Sequence, residues 1–334
     1  MLWRQTEGDP DLRRRAFAGL SRYQQATRPP PPPTPRVAAT AGSARLLHYG
    51  TENSARTRSP TVFIPSLINP PNVLDLSESQ SMLRHFAAQG HDPWLVDWGM
   101  PDGGDADMDL AGHITRRLVP LIAGLDRPAV LAGYCLGGTL AIGAASLMPV
   151  AGLVTIAAPW NFDGFPDPAR VQVAKLWNEA REICRRLGYV PMEVLQSGFW
   201  ALDPARTIGK FAAFGEMPAE SDAERAFLAL EDWANEGPPL TFAAGAELFD
   251  HLYAGNLTGT GQWRIAQRPV TPAGLACPSL SIRSSTDRIV PAASAPELAE
   301  QWTLNMGHVG MIVGRQAPTS LWAPLSRWLF KHGA

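Results

Sequence analysis

A cysteine set among glycines, between a predicted strand and a predicted helix, limits the folds open to this chain. The run GYCLGG spans 133–138, after an apolar strand pattern at 128–135 and before a helix of small residues predicted at 137–148. A G-x-nucleophile-x-G turn places its central residue on a sharp bend between a strand and a helix. The pattern therefore predicts that Cys135 is a nucleophile, at a position where serine is more usual.

Each neighbour of Cys135 has a predicted role in this turn. Gly133 and Gly137 keep the bend free of side chains, and Gly138 lets the helix lie close to the sheet. The N-terminus of a helix stabilises a negative sulfur, which favours a thiolate at Cys135. The backbone N–H of Leu136 is predicted to form half of an oxyanion hole. The alternative is a structural cysteine in a glycine-rich turn.

Strand and helix patterns alternate along most of the chain. Strands are predicted at 44–50, 61–65, 92–98, 128–135, 152–159, 279–287 and 303–307, and helices at 77–89, 109–125, 137–148 and 317–331. Such alternation predicts a mostly parallel sheet with helices on both faces. Together with the nucleophile turn, it predicts the α/β-hydrolase fold.

Two segments depart from this alternation. Residues 160–265 are rich in Trp, Phe and Ala and read as helical, which predicts a cap inserted above the carboxyl ends of the strands. Before the first strand, a helix is predicted within 10–26, and a run of five prolines follows at 29–33. Polyproline is extended and acts as a spacer, so residues 1–41 are predicted to be a flexible linker before a catalytic domain at 42–334.

Composition excludes several classes of protein. The net charge of −2 disfavours a nucleic-acid partner, and the three scattered cysteines indicate neither a disulfide framework nor a zinc site. The N-terminus has no apolar signal-peptide core, and no stretch reaches the ~20 apolar residues of a membrane span. We therefore expect a cytoplasmic protein without a metal or a cofactor.

The chain order of this fold, nucleophile then acid then histidine, predicts the partners of the cysteine. Asp287 follows a predicted strand in SSTDRIVP, and His308 follows the last strand in NMGHVGM. These are the positions expected for the acid and the base. The alternatives are an aspartate that caps a turn and a structural histidine. The second oxyanion donor is expected in the loop after the strand at 61–65, from the backbone N–H of Leu67 or Ile68.

Several segments resemble the polyhydroxyalkanoate synthases. They are GYCLGG (133–138), INPPNVLDL (68–76), LVDWGMP (95–101), LEDWANEGPPL (230–240), TDRIVP (286–291) and GHVGMIVG (307–314). The resemblance runs in order from about 60 to 330, and the length is similar to that of the short class III catalytic subunit. In one departure, Arg288 follows the acid where many synthases carry histidine.

The resemblance implies an acyltransferase that polymerises (R)-3-hydroxyacyl groups from coenzyme A thioesters through an acyl group on Cys135. It implies that coenzyme A enters only as part of the substrate. The partners that it implies are a growing polyester chain or granule surface, a helical second subunit and a homodimer. Two other functions stay open on the residues alone. One is an intracellular polyester depolymerase or thioesterase with the same triad, and the other is a non-catalytic granule-associated homologue.

Overall fold

Eight strands form one central sheet in the computed structural model, which describes residues 2–50 and 59–333. Four further strands pair as two short ribbons. The central strands are β1 (Arg36–Ala41), β2 (Ala44–His48), β3 (Thr61–Ile64), β4 (Pro93–Asp97), β5 (Val130–Tyr134), β6 (Gly152–Ile156), β11 (Ser279–Ser284) and β12 (Glu300–Leu304). In one ribbon β7 (Tyr189–Val190) pairs with β8 (Leu240–Thr241), and in the other β9 (Arg264–Ile265) pairs with β10 (Arg268–Pro269).

The order of the central sheet is β1-β2-β4-β3-β5-β6-β11-β12. Strands β1 and β2 are antiparallel to their neighbours, and every pair from β4 to β12 is parallel. All residues of β3, β5 and β6 are buried, which explains their continuous apolar sequence. The predicted mostly parallel sheet is confirmed.

Helices cover both faces of this sheet. The helices are α1 (Leu2–Gln5), α2 (Pro10–Gln25), α3 (Met82–Ala88), α4 (Leu110–His113), α5 (Val119–Ala123), α6 (Leu136–Ala145), α7 (Asp167–Leu187), α8 (Met192–Leu202), α9 (Pro204–Gly215), α10 (Asp222–Asn235), α11 (Phe242–Ala246), α12 (Gly310–Val313) and α13 (Ala323–His332). One face of the sheet packs against α4, α5 and α6, and the other against α3 and α13, and each side has its own cluster of buried apolar side chains. Wider π-helical turns at 114–118, 247–254 and 318–322 adjoin α4, α11 and α13.

The cap is the helical insertion between β6 and β11. It contains α7 to α11 and the ribbon β7–β8, within the range that the sequence predicts at about 160–265. Among the described residues, none of the helices combines the length and the hydrophobicity that a membrane span requires.

The last strand lies earlier than its predicted range of 303–307. Strand β12 pairs with β11 from Glu300 to Leu304, and its residues alternate between half-buried and exposed positions. An edge strand needs no continuous apolar run, and the first residues of β12 are polar. The sequence pattern therefore did not indicate that the strand begins at residue 300. After Leu304 the backbone of Met306 is bound to the side chain of Ser284, which turns the chain away from the sheet.

The N-terminal segment also differs from the predicted spacer. The sheet begins at residue 36 and not at the predicted boundary of 42, because β1 pairs with β2 from Arg36–His48 to Ala41–Ala44. Helix α2 packs against α9 and does not stand apart as a flexible arm; its Ala16 is fully buried there. Most of β1 is exposed and its sequence RVAATA has no apolar strand pattern, which is why the sequence indicates a domain boundary at residue 42.

We expect truncation at residue 42 to destabilise the protein more than truncation at residue 36. The shorter fragment, 42–334, loses β1 and exposes the backbone edge of β2, whereas the fragment 36–334 keeps this pairing. Each kcal/mol lost should lower the melting temperature by about 2–4 °C. Calorimetry of both fragments measures the difference, and equal melting temperatures would show that β1 adds nothing to the sheet.

Candidate active site

The backbone at Cys135 has an unusual conformation. Cys135 lies between the last residue of β5 and the first residue of α6, with φ of 54° and ψ of −131°. A side chain other than glycine costs about 1–3 kcal/mol in such a region, so the bend is strained. The Cys135 side chain is partly exposed, while Tyr134 and Leu136 on either side of it are buried.

The three glycines of the turn are required by close contacts. A Cβ on Gly133 would lie 2.4 Å from the Cα of Gly138, and one on Gly137 would lie 2.1 Å from the carbonyl oxygen of Ile64. A Cβ on Gly138 would lie 2.4 Å from the Cβ of Ala158, just after β6. No Cβ is found at such distances, so any larger residue would push α6 away from β3, β5 or β6 and move the cysteine.

The strain at Cys135 predicts an unusual order of stability among variants. We expect Cys135→Gly to be more stable than Cys135→Ala by about 1 kcal/mol, because glycine adopts a positive φ without a steric penalty. Both variants lack the sulfur and should be inactive. Urea unfolding of the two proteins measures the difference. A glycine variant less stable than the alanine variant would contradict the strain.

Asp287 and His308 form a buried pair at the ends of neighbouring strands. The Nδ1 atom of His308 lies 2.7 Å from Oδ2 of Asp287. The other oxygen of Asp287 accepts hydrogen bonds from the backbone N–H groups of Ile289 and Val290, at 2.8 and 2.9 Å. Both carboxylate oxygens are therefore bound, and the acid is fixed in orientation beside the imidazole. Asp287 and His308 are 8% and 7% exposed.

His308 also faces the cysteine. Burial disfavours the charged imidazolium, but the negative charge of Cys135 and the bond to Asp287 outweigh it and raise the pKa of His308 to about 10. His308 therefore keeps its proton at neutral pH, beside the sulfur of Cys135. The structure brings together all three residues that the sequence predicts for this chemistry.

Two supporting residues were missed by the sequence reasoning. The hydroxyl of Tyr134 donates a 3.3 Å hydrogen bond to the carbonyl oxygen of His308, and its ring lies 5.1 Å from the imidazole. Ser284, at the end of β11, accepts a 3.1 Å hydrogen bond from the backbone N–H of Met306 and ties the loop before His308 to the sheet. The sequence offered one indication of the role of Tyr134, namely its position directly before Cys135.

The loop of residues 65–76, here the oxyanion loop, lies against the nucleophile turn. The close contact of Gly137 with Ile64 and Pro65 places the start of this loop beside the first turn of α6. The indole N–H of Trp98 holds the loop there by a 3.0 Å hydrogen bond to the carbonyl oxygen of Pro65. The start of the loop is therefore fixed near the amide of Leu136, whose position at the start of α6 leaves it without an acceptor in the helix.

The hydrogen bonds of this loop distinguish between the two amides that the sequence predicts as oxyanion donors, those of Leu67 and Ile68. The amide of Ile68 donates to the hydroxyl of Ser66 at 3.0 Å. The amide of Leu67 has no acceptor in the described part of the chain, and its residue is 4% exposed. A free, buried N–H group is what an oxyanion hole requires, so the geometry favours Leu67 over Ile68.

Arg288 joins the loop of the acid to the cap. Its guanidinium lies 2.6 Å from a carboxylate oxygen of Asp203, which also caps the first turn of α9. The Arg288 side chain is 72% exposed, so we expect this ion pair to add at most ~1 kcal/mol of stability. The departure from the histidine that the resemblance implies thus creates a contact between the cap and the residue after the acid.

The other cysteines lie outside this constellation. Cys184 is fully buried in α7, and Cys277 is partly exposed before β11. Burial raises the pKa of both thiols, which disfavours the reactive thiolate. Within residues 2–50 and 59–333, no group of three or more His, Cys, Asp or Glu side chains is arranged to hold a metal ion.

No protein-family model matches the chain. Curated relatives do, and those with the most significant matches are all poly(3-hydroxyalkanoate) polymerase subunits. The subunit of Haloferax mediterranei is 27% identical, and the match covers 97% of this chain and 70% of the relative. For Haloarcula marismortui the identity is 25%, over 85% of this chain and 64% of the relative, so here the chain spans less than two thirds of its length. For Thiocystis violacea it is 25%, over 81% of each chain.

Solved structures with the same fold include enzymes of several kinds. An N-acyl homoserine lactone degrading enzyme is 18% identical, with a TM-score of 0.51 over 88% of this chain and 99% of that one. A monoacylglycerol lipase from Paleococcus ferrophilus is 13% identical, with a TM-score of 0.50 over 86% and 99%. At these identities the likeness concerns the fold alone. The chain therefore has the predicted α/β-hydrolase fold and is, over most of its length, a relative of the poly(3-hydroxyalkanoate) polymerase subunits, which confirms the resemblance of its motifs.

Proposed function

We propose that this protein transfers 3-hydroxyacyl groups from coenzyme A thioesters to Cys135 and from there to a growing polyester. The observation that carries the proposal is the similarity to polymerase subunits over most of the chain, combined with a cysteine at the nucleophile turn. A thiolate that attacks a thioester exchanges one carbon–sulfur bond for another, so the loading step is close to thermoneutral. A cysteine suits this exchange better than a serine.

In the loading step, Cys135 gives its proton to His308 and its sulfur attacks the thioester carbonyl. The oxygen gains negative charge and would accept hydrogen bonds from the amides of Leu67 and Leu136. The carbon–sulfur bond to coenzyme A then breaks. The His308 imidazolium gives its proton to the departing thiolate, which leaves as free coenzyme A. The products are an acyl group on Cys135 and a neutral His308.

In the transfer step, His308 acts as a base. It takes the proton from the 3-hydroxyl group of the acceptor, which is another 3-hydroxyacyl unit or the end of the polyester chain. The oxygen of this hydroxyl group attacks the acyl carbonyl on Cys135. An ester bond forms, and Cys135 leaves as a thiolate beside the imidazolium that has just formed. The role proposed for Asp287 is to orient the ring and to stabilise that imidazolium, through the 2.7 Å contact with Nδ1.

The partners follow from the same proposal. The substrate is a 3-hydroxyacyl-coenzyme A, the product is a polyester, and the protein acts at the surface of a granule of that polyester. A helical second subunit and a second copy of this chain are proposed as protein partners.

The direct test is incubation of the purified protein with 3-hydroxybutyryl-coenzyme A. Free coenzyme A is followed with a thiol reagent, and polymer and free 3-hydroxybutyrate are quantified by turbidity and chromatography. We expect coenzyme A and polymer. Stoichiometric free 3-hydroxybutyrate without polymer would instead indicate a thioesterase or depolymerase, and no release of coenzyme A would indicate a non-catalytic homologue.

A further inference from the structure

We propose that residues 10–35, here the strap, hold the oxyanion loop in its active position through helix α10 of the cap. The inference rests on the proposed function, because it concerns the site at which the acyl group would be loaded. It makes Arg28, Asp232 and Trp233 positioning residues, which act on the reaction through the loop and touch no reacting atom.

The first step is the attachment of the strap to the cap. Helix α2 crosses α9 so closely that a Cβ on Gly19 would lie 1.8 Å from the carbonyl oxygen of Phe211. Ala16 is fully buried there beside Ile208 and Ala212. The close approach of the two backbones and the apolar packing of Ala16 fix α2 and α9 as one unit.

The second step is a cluster of hydrogen bonds on Asp232 of α10. The guanidinium of Arg28 binds both oxygens of this carboxylate, each at 2.9 Å, and the hydroxyl of Tyr23 donates to one of them at 2.5 Å. A two-point bond of this kind fixes both distance and angle. Burial and the bond to Asp232 raise the pKa of Tyr23 to about 12, so the phenol stays a donor at neutral pH.

The third step runs from Asp232 to the oxyanion loop through the next residue. The indole N–H of Trp233 donates a 2.8 Å hydrogen bond to the carbonyl oxygen of Pro70. In return, the side-chain amide of Asn69 donates to the carbonyl oxygens of Trp233 and Ala234, at 3.3 Å each. Asn69 has a φ of 68°, so its own backbone is held in a conformation that needs such support.

The strap also reaches the far end of the same loop. The guanidinium of Arg84 binds both oxygens of Asp75, at 2.8 and 2.9 Å, and donates to the carbonyl oxygen of Pro33 at 2.7 Å. Asp75 is 4% exposed, and it also accepts a 2.9 Å hydrogen bond from Tyr49. The free amide of Leu67 thus lies in a loop that the strap contacts through α10 on one side and through Arg84 on the other.

The consequence is specific to steps that form an oxyanion. A loop that shifts by a fraction of an ångström misplaces the donor of Leu67, while Asp287 and His308 lie after β11 and β12 and are held by hydrogen bonds of their own. Acylation of Cys135 by a thioester needs that donor. Alkylation of Cys135 by iodoacetamide displaces iodide at a saturated carbon and forms no oxyanion, so it does not.

The test compares both reactions in Arg28→Ala. We expect the single-turnover release of coenzyme A from 3-hydroxybutyryl-coenzyme A to slow by about tenfold, the size of effect that small misplacements produce. The rate of alkylation by iodoacetamide should match that of the wild-type protein. The control is Arg15→Ala, which removes another ion pair between the strap and the cap, with Glu216 at 3.2 Å, that does not lead to the loop. It should change neither rate.

Two further variants keep the test sharp. Trp233→Phe removes the bond to Pro70 directly and should reproduce the selective loss of acylation, and Arg28→Lys should restore part of it. Equal acylation by Arg28→Ala, Trp233→Phe and wild type would overturn the inference and leave the proposed function standing. A parallel loss of acylation and alkylation would also overturn it, because that pattern indicates general damage. No acylation of the wild-type protein would remove the proposed function, and this inference with it.

Discussion

Replacing Cys135 with alanine is expected to abolish the release of coenzyme A from 3-hydroxybutyryl-coenzyme A. Loss of a nucleophile that acts as part of a triad lowers the rate by about 10⁶-fold in other enzymes, which is indistinguishable from background here. The variant should still fold, because alanine is smaller and the bend is set by the surrounding glycines. A thiol assay measures the release, and circular dichroism checks the fold.

Cys135→Ser is the matched control for this prediction. It keeps the size and the hydrogen-bonding capacity of the side chain, but a hydroxyl is a far weaker nucleophile than a thiolate at neutral pH. A trace of activity is expected. Wild-type release of coenzyme A by either variant would show that another residue carries the acyl group.

The second large effect is expected from the acid–base pair. His308→Gln should lower the rate by about 10⁶-fold and Asp287→Asn by about 10⁴-fold, since both disturb one hydrogen-bonded unit. The double variant should be hardly slower than His308→Gln alone, because the acid acts only through the histidine. Steady-state rates of the three variants measure this. A double variant whose loss is the product of the two single losses would contradict a triad.

The pH dependence of Asp287→Asn gives a separate readout of the same unit. In the wild-type protein, burial lowers the pKa of His308, but Cys135 and Asp287 together outweigh this effect and raise the pKa to about 10. The imidazolium therefore persists to that pH. Without the charge of Asp287 the pKa falls, and the imidazolium loses its proton at a lower pH. The alkaline limb of the loading rate should therefore move to lower pH in the variant. An unchanged limb would show that Asp287 does not hold this proton.

The nucleophile turn could be predicted from the sequence because its constraints are local. A side chain at Gly133, Gly137 or Gly138 would clash within the turn itself or with residues at the ends of β3 and β6. The spacing of these glycines alone therefore indicates the bend. Asp287 and His308 could be located because a fixed order of elements places each after a strand. The choice between Leu67 and Ile68 could not be made, since it depends on whether the hydroxyl of Ser66 reaches one amide.

Polar contacts between residues far apart in the chain could not be predicted from the amino-acid sequence. The bonds between Arg28 and Asp232 join residues about two hundred positions apart, and neither residue stands out among its neighbours in the sequence. Strand β1 was missed for a related reason, because an exposed edge strand carries no apolar alternation. The fold and the positions of the candidate site residues are thus indicated by short motifs, whereas the attachment of the strap to the cap is evident only in the packed structure.

The most direct measurement for the central claim is mass spectrometry of the protein quenched during turnover of 3-hydroxybutyryl-coenzyme A. Peptides that contain Cys135, Cys184 and Cys277 would be compared before and after treatment with hydroxylamine, which cleaves thioesters. The proposed mechanism predicts one or more 3-hydroxybutyryl units on Cys135, removed by hydroxylamine, and none on the other two cysteines. Release of coenzyme A with an unmodified Cys135, or with the acyl group on another residue, would contradict it.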